Sequence, residues 1–333
     1  MGSTGQSGPQ ELAPFRVDPI YDPRPWGFMD LRPWYDHVVK SGDPIGEVWL
    51  TGDECLIATG PHAGQKLGGF FNQMPEALLG EGVPTTASPL LLKVLFAKEK
   101  LSVQVHPDDA MAQKYGDPRG KTECWYALAA EPGAIVALGL KPSVTLDQVR
   151  EEIHAGTLES SLNLVPVSAG EVIFVDAGTV HSIWPGSILL ETQQNCDLTY
   201  RMYDYGRGRE LHIEKSLEAT KLVTRAGKIP ARVLKDRTIL IDVEYFRVER
   251  IPVAVAGSRS SASLRGENEP ALGLAYLFAA AGKGKIAGQG FEPVDLPVRG
   301  IVAVPASAPQ FTVEDGGGLD LIRITPNWPE KAH

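Results

Sequence analysis

Short apolar runs that alternate with polar residues dominate the first two thirds of the chain, and they predict strands rather than helices. Residues 90–96 and 101–106 form two such runs around the charged turn Ala97-Lys98-Glu99-Lys100, and read as a strand pair. Residues 123–130 and 134–140 read as a hairpin about Glu131-Pro132-Gly133. Further strands are expected at 47–51, 55–59, 171–176, 181–184, 188–194 and 198–203. Helical spacing is confined to three places. Residues 66–79 carry Leu67, Phe70, Phe71, Met74, Leu78 and Leu79, with Pro75 marking a break. Residues 145–155 follow the N-cap candidates Thr145 and Ser143 and stop at Gly156; residues 214–225 form the third helix. Residues 15–34, rich in proline and aromatics, are expected to wrap a core irregularly.

This pattern predicts a mainly β protein of two domains. Residues 1–14 read as a flexible tail, and 15–226 as a first domain with inserted helices. The boundary falls at Gly227-Lys228-Ile229-Pro230, and 231–330 form a smaller β domain of short strands and Gly-rich loops. Length and composition agree. The 333 residues suffice for two proper cores, and 35 Gly with 26 Pro supply the many turns that short strands need. A net charge of −9 excludes nonspecific nucleic-acid binding, and no apolar run is long enough for a membrane span. The N-terminus has no apolar segment of the signal-peptide kind, and three widely spaced cysteines form no disulfide framework, so a reducing cytoplasm is expected.

The chemistry sits in the first domain. Gln104 and His106 stand two apart on a predicted strand and so share a face; Glu123 and His181 complete a set of nitrogen and oxygen donors without sulfur. Such a set suits a divalent metal that keeps an open position. After His212 the only histidine is His333, so the second domain cannot repeat the site.

Gly170 to His181 resembles the second motif of cupin barrels, with Asp176 where a Pro is usual; Gln104-Val105-His106 replaces the common His-x-His of the first motif. The whole set resembles the short bacterial type I phosphomannose isomerases. The resemblance rests on Leu101 to Asp109, Lys121 to Tyr126, Gly178-Thr179-Val180-His181, and the long stretch Leu189 to Tyr205; Gly46-Glu47-Val48-Trp49 adds to it. It is strong over 45–225 and thin over the C-terminal third. The departures are Phe28, Cys196 and Leu198, none of them a metal ligand.

The resemblance implies cupin (jelly-roll) barrels, one zinc ion per chain held by Gln104, His106, Glu123 and His181, and an active-site arginine at Arg201. It places Ser102, Lys121 and Glu191 in the substrate pocket. The implied reaction interconverts mannose 6-phosphate and fructose 6-phosphate through an enediolate, with Glu191 and Lys121 as candidates to move the proton. Lys100, Ser102 and Arg207 are the phosphate candidates. The alternatives are a cupin that binds sugar or sugar phosphate without turnover, as a sensor, and a cupin oxygenase or epimerase; the amide ligand speaks against the oxygenase. His37, His62, His154 and His212 read as surface or structural residues, Cys124 and Cys196 as core packing, and Trp125, Tyr126, Tyr200 and Tyr203 as mostly barrel core.

Overall fold

The computed structural model describes residues 11–83, 85–265 and 273–328. Contacts divide the chain into two compact units. One comprises Ile20–Trp49 and Leu90–Pro230; the other draws on residues 1–19, 50–89 and 231–333. The sequence had run its first domain unbroken from 15 to 226. Residues 15–19 instead cluster with the C-terminal strands because Phe15–Asp18 pairs with Ile301–Val304 on one side and Leu56–Ile57 on the other. The expected tail falls partly outside the described residues; of its last residues, Leu12 is buried and its N–H donates to Ser307 Oγ at 3.1 Å.

The unit 20–49/90–230 is a sandwich of two antiparallel sheets. The seven-stranded sheet runs Gly227–Ile229, Val172–Val175, Glu123–Ala130, Ser187–Gln194, Leu90–Phe96, Ile45–Trp49, Ile20–Phe28. The five-stranded sheet runs Tyr200–Tyr203, Val103–Val105, His181–Ile183, Ile135–Leu140, Leu162–Pro166. Two expected hairpins are therefore not hairpins. The turns at 97–100 and 131–134 each carry the chain from one sheet to the other, a distinction that alternation alone does not encode. The stretch 15–34 is irregular only from 29 on: Phe15–Asp18 and Ile20–Phe28 are strands, and Pro23 and Pro25 are tolerated in the second because it lies at the sheet edge.

The three expected helical stretches become four helices. Pro75 separates helices Leu67–Gln73 and Pro75–Leu79 in the other unit. Thr145 Oγ1 caps Leu146–Ala155 by accepting from Gln148 N, and Gly156 ends it at φ +72°. The helix Ile213–Ala219 stops six residues short of its expected end, because Thr220 is extended and the Lys221 N–H goes to the Gly178 carbonyl. Helices Leu146–Ala155 and Ile213–Ala219 cover the outer face of the five-stranded sheet through Val149, Ile153 and Leu217 against Val103, Val105, Tyr200 and Met202. None of the described helices is long and apolar enough to cross a membrane.

Register sorts the sandwich interior into a dry end and a polar end. At the dry end Leu95, Ala127 and Leu189 of one sheet meet Val136 and Ile183 of the other. The next row holds Trp125, Glu191, Lys93 and Trp49 opposite one another on four neighbouring strands. Across from it Arg201, Gln104 and His181 stand in one row of the five-stranded sheet. Directly opposed residues share a face, and Lys93 and Glu191 of the first row line one cavity with Gln104 and Arg201 of the second.

The other unit pairs an eight-stranded with a four-stranded sheet around Ile251, Leu277, Ile286, Val302, Val313 and Leu321. Its interior also holds Glu249, fully buried, which accepts from Arg247 at 2.7 Å and Arg323 at 2.8 Å, with Arg237 at 3.5 Å. Removing one partner of a buried charge cluster strands the others. Glu249→Ala should therefore destabilise this unit by about 3–5 kcal/mol, read as a lower midpoint in urea unfolding; an unchanged midpoint would mean the arginines find water.

Candidate metal centre and active site

Gly178 sets up the centre. It adopts φ +93°, where a side chain is strained, and a Cβ there would meet the Lys221 side chain at 2.7 Å. Its N–H donates to the His106 carbonyl at 2.8 Å, so the turn that aims His181 inward is tied to the strand that carries His106. Both imidazoles are oriented from behind. His106 Nδ1 donates to the Leu198 carbonyl at 2.9 Å and His181 Nδ1 to the Thr179 carbonyl at 2.9 Å. A carbonyl only accepts, so each Nδ1 carries the proton and each Nε2 presents a lone pair.

Those lone pairs face Glu123. Its Oε2 lies 3.7 Å from His106 Nε2 and its Oε1 3.5 Å from His181 Nε2. One ligand atom from each of the three residues lies within 4.8 Å of the others, and all three side chains are buried. His106 Nε2 is buried without a hydrogen-bond partner, and Glu123 Oε2 has none beyond the Lys121 cation beside it, an arrangement that costs free energy unless something else completes it. Burial, followed by the Lys121 cation, holds His106 well below the ordinary imidazole range; burial foremost brings His181 down to about 4. Neutral imidazoles, a carboxylate and orphaned donor atoms fit a divalent cation. Gln104 reaches the same spot with Nε2 3.2 Å from His181 Nε2, while its Oε1 accepts from Ser102 Oγ at 3.3 Å. Only an amide oxygen ligates a cation, so Gln104 would join with its amide turned over.

The remaining wall is charged. Glu191 is buried, accepts from Trp125 Nε1 at 3.0 Å, and is pushed up to about 7, first by burial and then by the Glu123 carboxylate. Lys121 Nζ lies 3.3 Å from Glu123 Oε2; burial would lower its pKa, but Glu123 and Glu191 outweigh burial and keep it protonated. Arg201 donates from Nη1 to the Glu210 carbonyl at 2.8 Å, and its Nε is buried without a partner. Lys121, Glu191, Arg201, Ser102 and Gln104 all line one cavity of about 340 Å³.

Two predicted residues stand elsewhere. Lys100 pairs with Glu159 at 2.8 Å and lies over the Trp184 ring, and Arg207 bonds the Lys100 carbonyl and Asp204; neither lines the cavity. The cavity cations that sequence reasoning missed are Arg24 and Lys93; Arg209 also lines the cavity. Lys93 sits between Glu47 at 3.2 Å and Asp197 at 2.6 Å, and Arg24 bonds Glu47 at 3.1 Å. A signal existed: Lys93 interrupts the apolar run Leu90-Leu91-Leu92-Lys93-Val94-Leu95-Phe96, and a buried lysine needs a partner.

A buried centre that could hold a metal, at the polar end of two antiparallel sheets packed face to face, is the arrangement of a cupin. Residues 15–139 match the family model "Phosphomannose isomerase type I, catalytic domain". A mannose-6-phosphate isomerase of Streptococcus mutans is 35% identical over 236 residues, covering 67% of this chain and 73% of the relative. The mannose-6-phosphate isomerase ManA of Bacillus subtilis is 32% identical over 250 residues, covering 71% and 78%. The crystal structure of a Bacillus subtilis mannose 6-phosphate isomerase superposes with a TM-score of 0.81 at 28% identity, covering 94% of this chain and 99% of that one. The chain belongs to the type I phosphomannose isomerase family.

Two outcomes follow from the geometry. Zinc added to metal-free protein should bind at one equivalent per chain and raise Tm by mass action, and His106→Ala or His181→Ala should abolish both, as read by elemental analysis and thermal melting. The second concerns Glu191 in the metal-free protein. A carboxyl raised from 4.5 to about 7 binds more protons folded than unfolded between those values, so it erodes stability as pH rises through that window. Glu191→Gln should therefore melt increasingly above wild type from pH 4.5 to 7, with a constant gap beyond; a variant less stable at pH 8 would instead make Glu191 a required counterion of Lys121.

Proposed function

We propose that this protein is a zinc-dependent aldose–ketose isomerase that interconverts mannose 6-phosphate and fructose 6-phosphate through an enediolate. The observation that carries the reading is the placement of Glu191: a buried carboxyl lining a sugar-sized cavity beside a cation-competent His–Glu–His cluster. The mannose-6-phosphate isomerases similar to this chain support the substrate assignment.

The C2 proton of an aldose is weakly acidic, and its removal leaves negative charge on the C1 and C2 oxygens. Zinc held by Gln104, His106, Glu123 and His181 would supply Lewis-acid stabilisation of that charge. Arg201, a permanent cation with an uncommitted Nε in the wall, would add a second fixed positive group. Glu191 has the affinity to take a proton and return it near neutral pH, which makes it the base. Lys121 is held in its charged form, so it serves as a cation and donor rather than as the base. For the phosphate, Ser102 and the cavity cation Arg209 are better placed than Lys100 and Arg207.

Zinc-loaded protein should turn over mannose 6-phosphate and incorporate solvent deuterium into product. Chelation or His106→Ala should abolish turnover, and Glu191→Gln should lower kcat by roughly 10²–10⁴-fold. Binding of the sugar phosphate with no exchange of its C2 hydrogen would make the protein a sensor instead.

A further inference from the structure

His212 stands at the N-cap of the helix Ile213–Ala219, a position that favours Ser, Thr, Asp or Asn, yet its side chain makes no capping bond to that helix. Its ring is turned to the neighbouring strand instead. Tyr200–Tyr203 is the edge of the five-stranded sheet, with a register shift between Arg201 and Tyr203. Both backbone groups of Arg201 bond to His212. The Arg201 N–H donates to His212 Nδ1 at 3.1 Å, and the Arg201 carbonyl accepts from the His212 N–H at 2.8 Å. The same segment holds the guanidinium, because Arg201 Nη1 donates to the Glu210 carbonyl at 2.8 Å. Residues 210–212 thus grip Arg201 at three points, and only one of them depends on the identity of a side chain.

We propose that His212 is a positioning residue for Arg201: its Nδ1 completes the edge of the strand and fixes where the arginine enters the cavity. The sequence had read His212 as a surface or structural residue. The inference rests on the functional reading above for what Arg201 does, and on geometry alone for how it is held. An acceptor is required at Nδ1, so the neutral Nε2–H tautomer is the form that works. Burial, with the Arg201 cation next, lowers the His212 pKa and favours that neutral form. A misplacement of about 1 Å at a reacting group can cost about 10²-fold in rate, so loss of this bond is expected to be visible in kcat.

Two variants separate this role from helix capping. Ser is a good N-cap residue but too short to reach the Arg201 N–H; Asn caps as well and carries its oxygen near the position of Nδ1. His212→Ser should retain zinc content and Tm, lose amide hydrogen-exchange protection at Arg201, and lower kcat by roughly ten- to hundredfold. His212→Asn should restore both protection and kcat to within about threefold of wild type. Wild-type kcat in His212→Ser overturns the proposal, whether or not protection falls, and so does failure of His212→Asn to restore kcat while protection is kept. Absence of turnover in the wild-type protein would strike the functional reading, whereas exchange at Arg201, measured without substrate, still decides whether His212 holds the strand.

Discussion

Lys93 is the side chain on which the polar end of the sandwich depends. It is 1% exposed, and an ammonium in that setting survives only if carboxylates surround it. Burial opposes its charge, but Glu47, Asp197 and Glu191 outweigh burial and raise its pKa, while Lys93 and Arg24 together hold Glu47 ionised. Trp49 Nε1 donates to the same Glu47 carboxylate at 2.7 Å. This closed arrangement lets a sheet interior carry ionised groups. It also engages Glu47 and Asp197 as partners, while Glu191, on the adjacent strand, is raised to about 7 by burial first and then by Glu123.

The two sheets divide the chemistry. The five-stranded sheet supplies the neutral or permanently charged groups, His181, Gln104 and Arg201, each held by backbone or cross-strand bonds. The seven-stranded sheet supplies the carboxyl groups Glu123 and Glu191 and the ammonium of Lys93. Carbonyls behind both histidines fix their tautomer before any cation arrives, which reduces the reorganisation that binding requires.

Much of this was legible in the sequence. The cluster of His106, Glu123 and His181, which could hold a metal, was legible as a group, and Gly178 in the turn before His181 adopts a left-handed conformation. The strand positions were readable from period-two alternation. Which strands pair was not: the turns at 97–100 and 131–134 look like hairpin turns and are crossings between sheets. Residues 15–18 found partners near 301–304, a separation that no local pattern reports. Lys100 and Arg207 were chosen by proximity along the chain, and local carboxylates, carbonyls and rings hold them away from the cavity. Arg24 was overlooked because a cation on an edge strand looks like any other until the fold sorts it.

The alternation of dry and polar rows along the same strands has an evolutionary side. In Ser187–Gln194, Leu189 packs the core and Glu191, two residues on, faces the cavity. Replacing a cavity residue leaves the dry row intact, so new substrates can be explored without rebuilding the fold. The frame of the strand has no such freedom. One inserted residue between them would turn Glu191 away from the mouth, and one inserted ahead of both would expel Leu189 from the core as well. Outside the Lys93 charge cluster, selection can therefore edit this site by letter far more readily than by spacing.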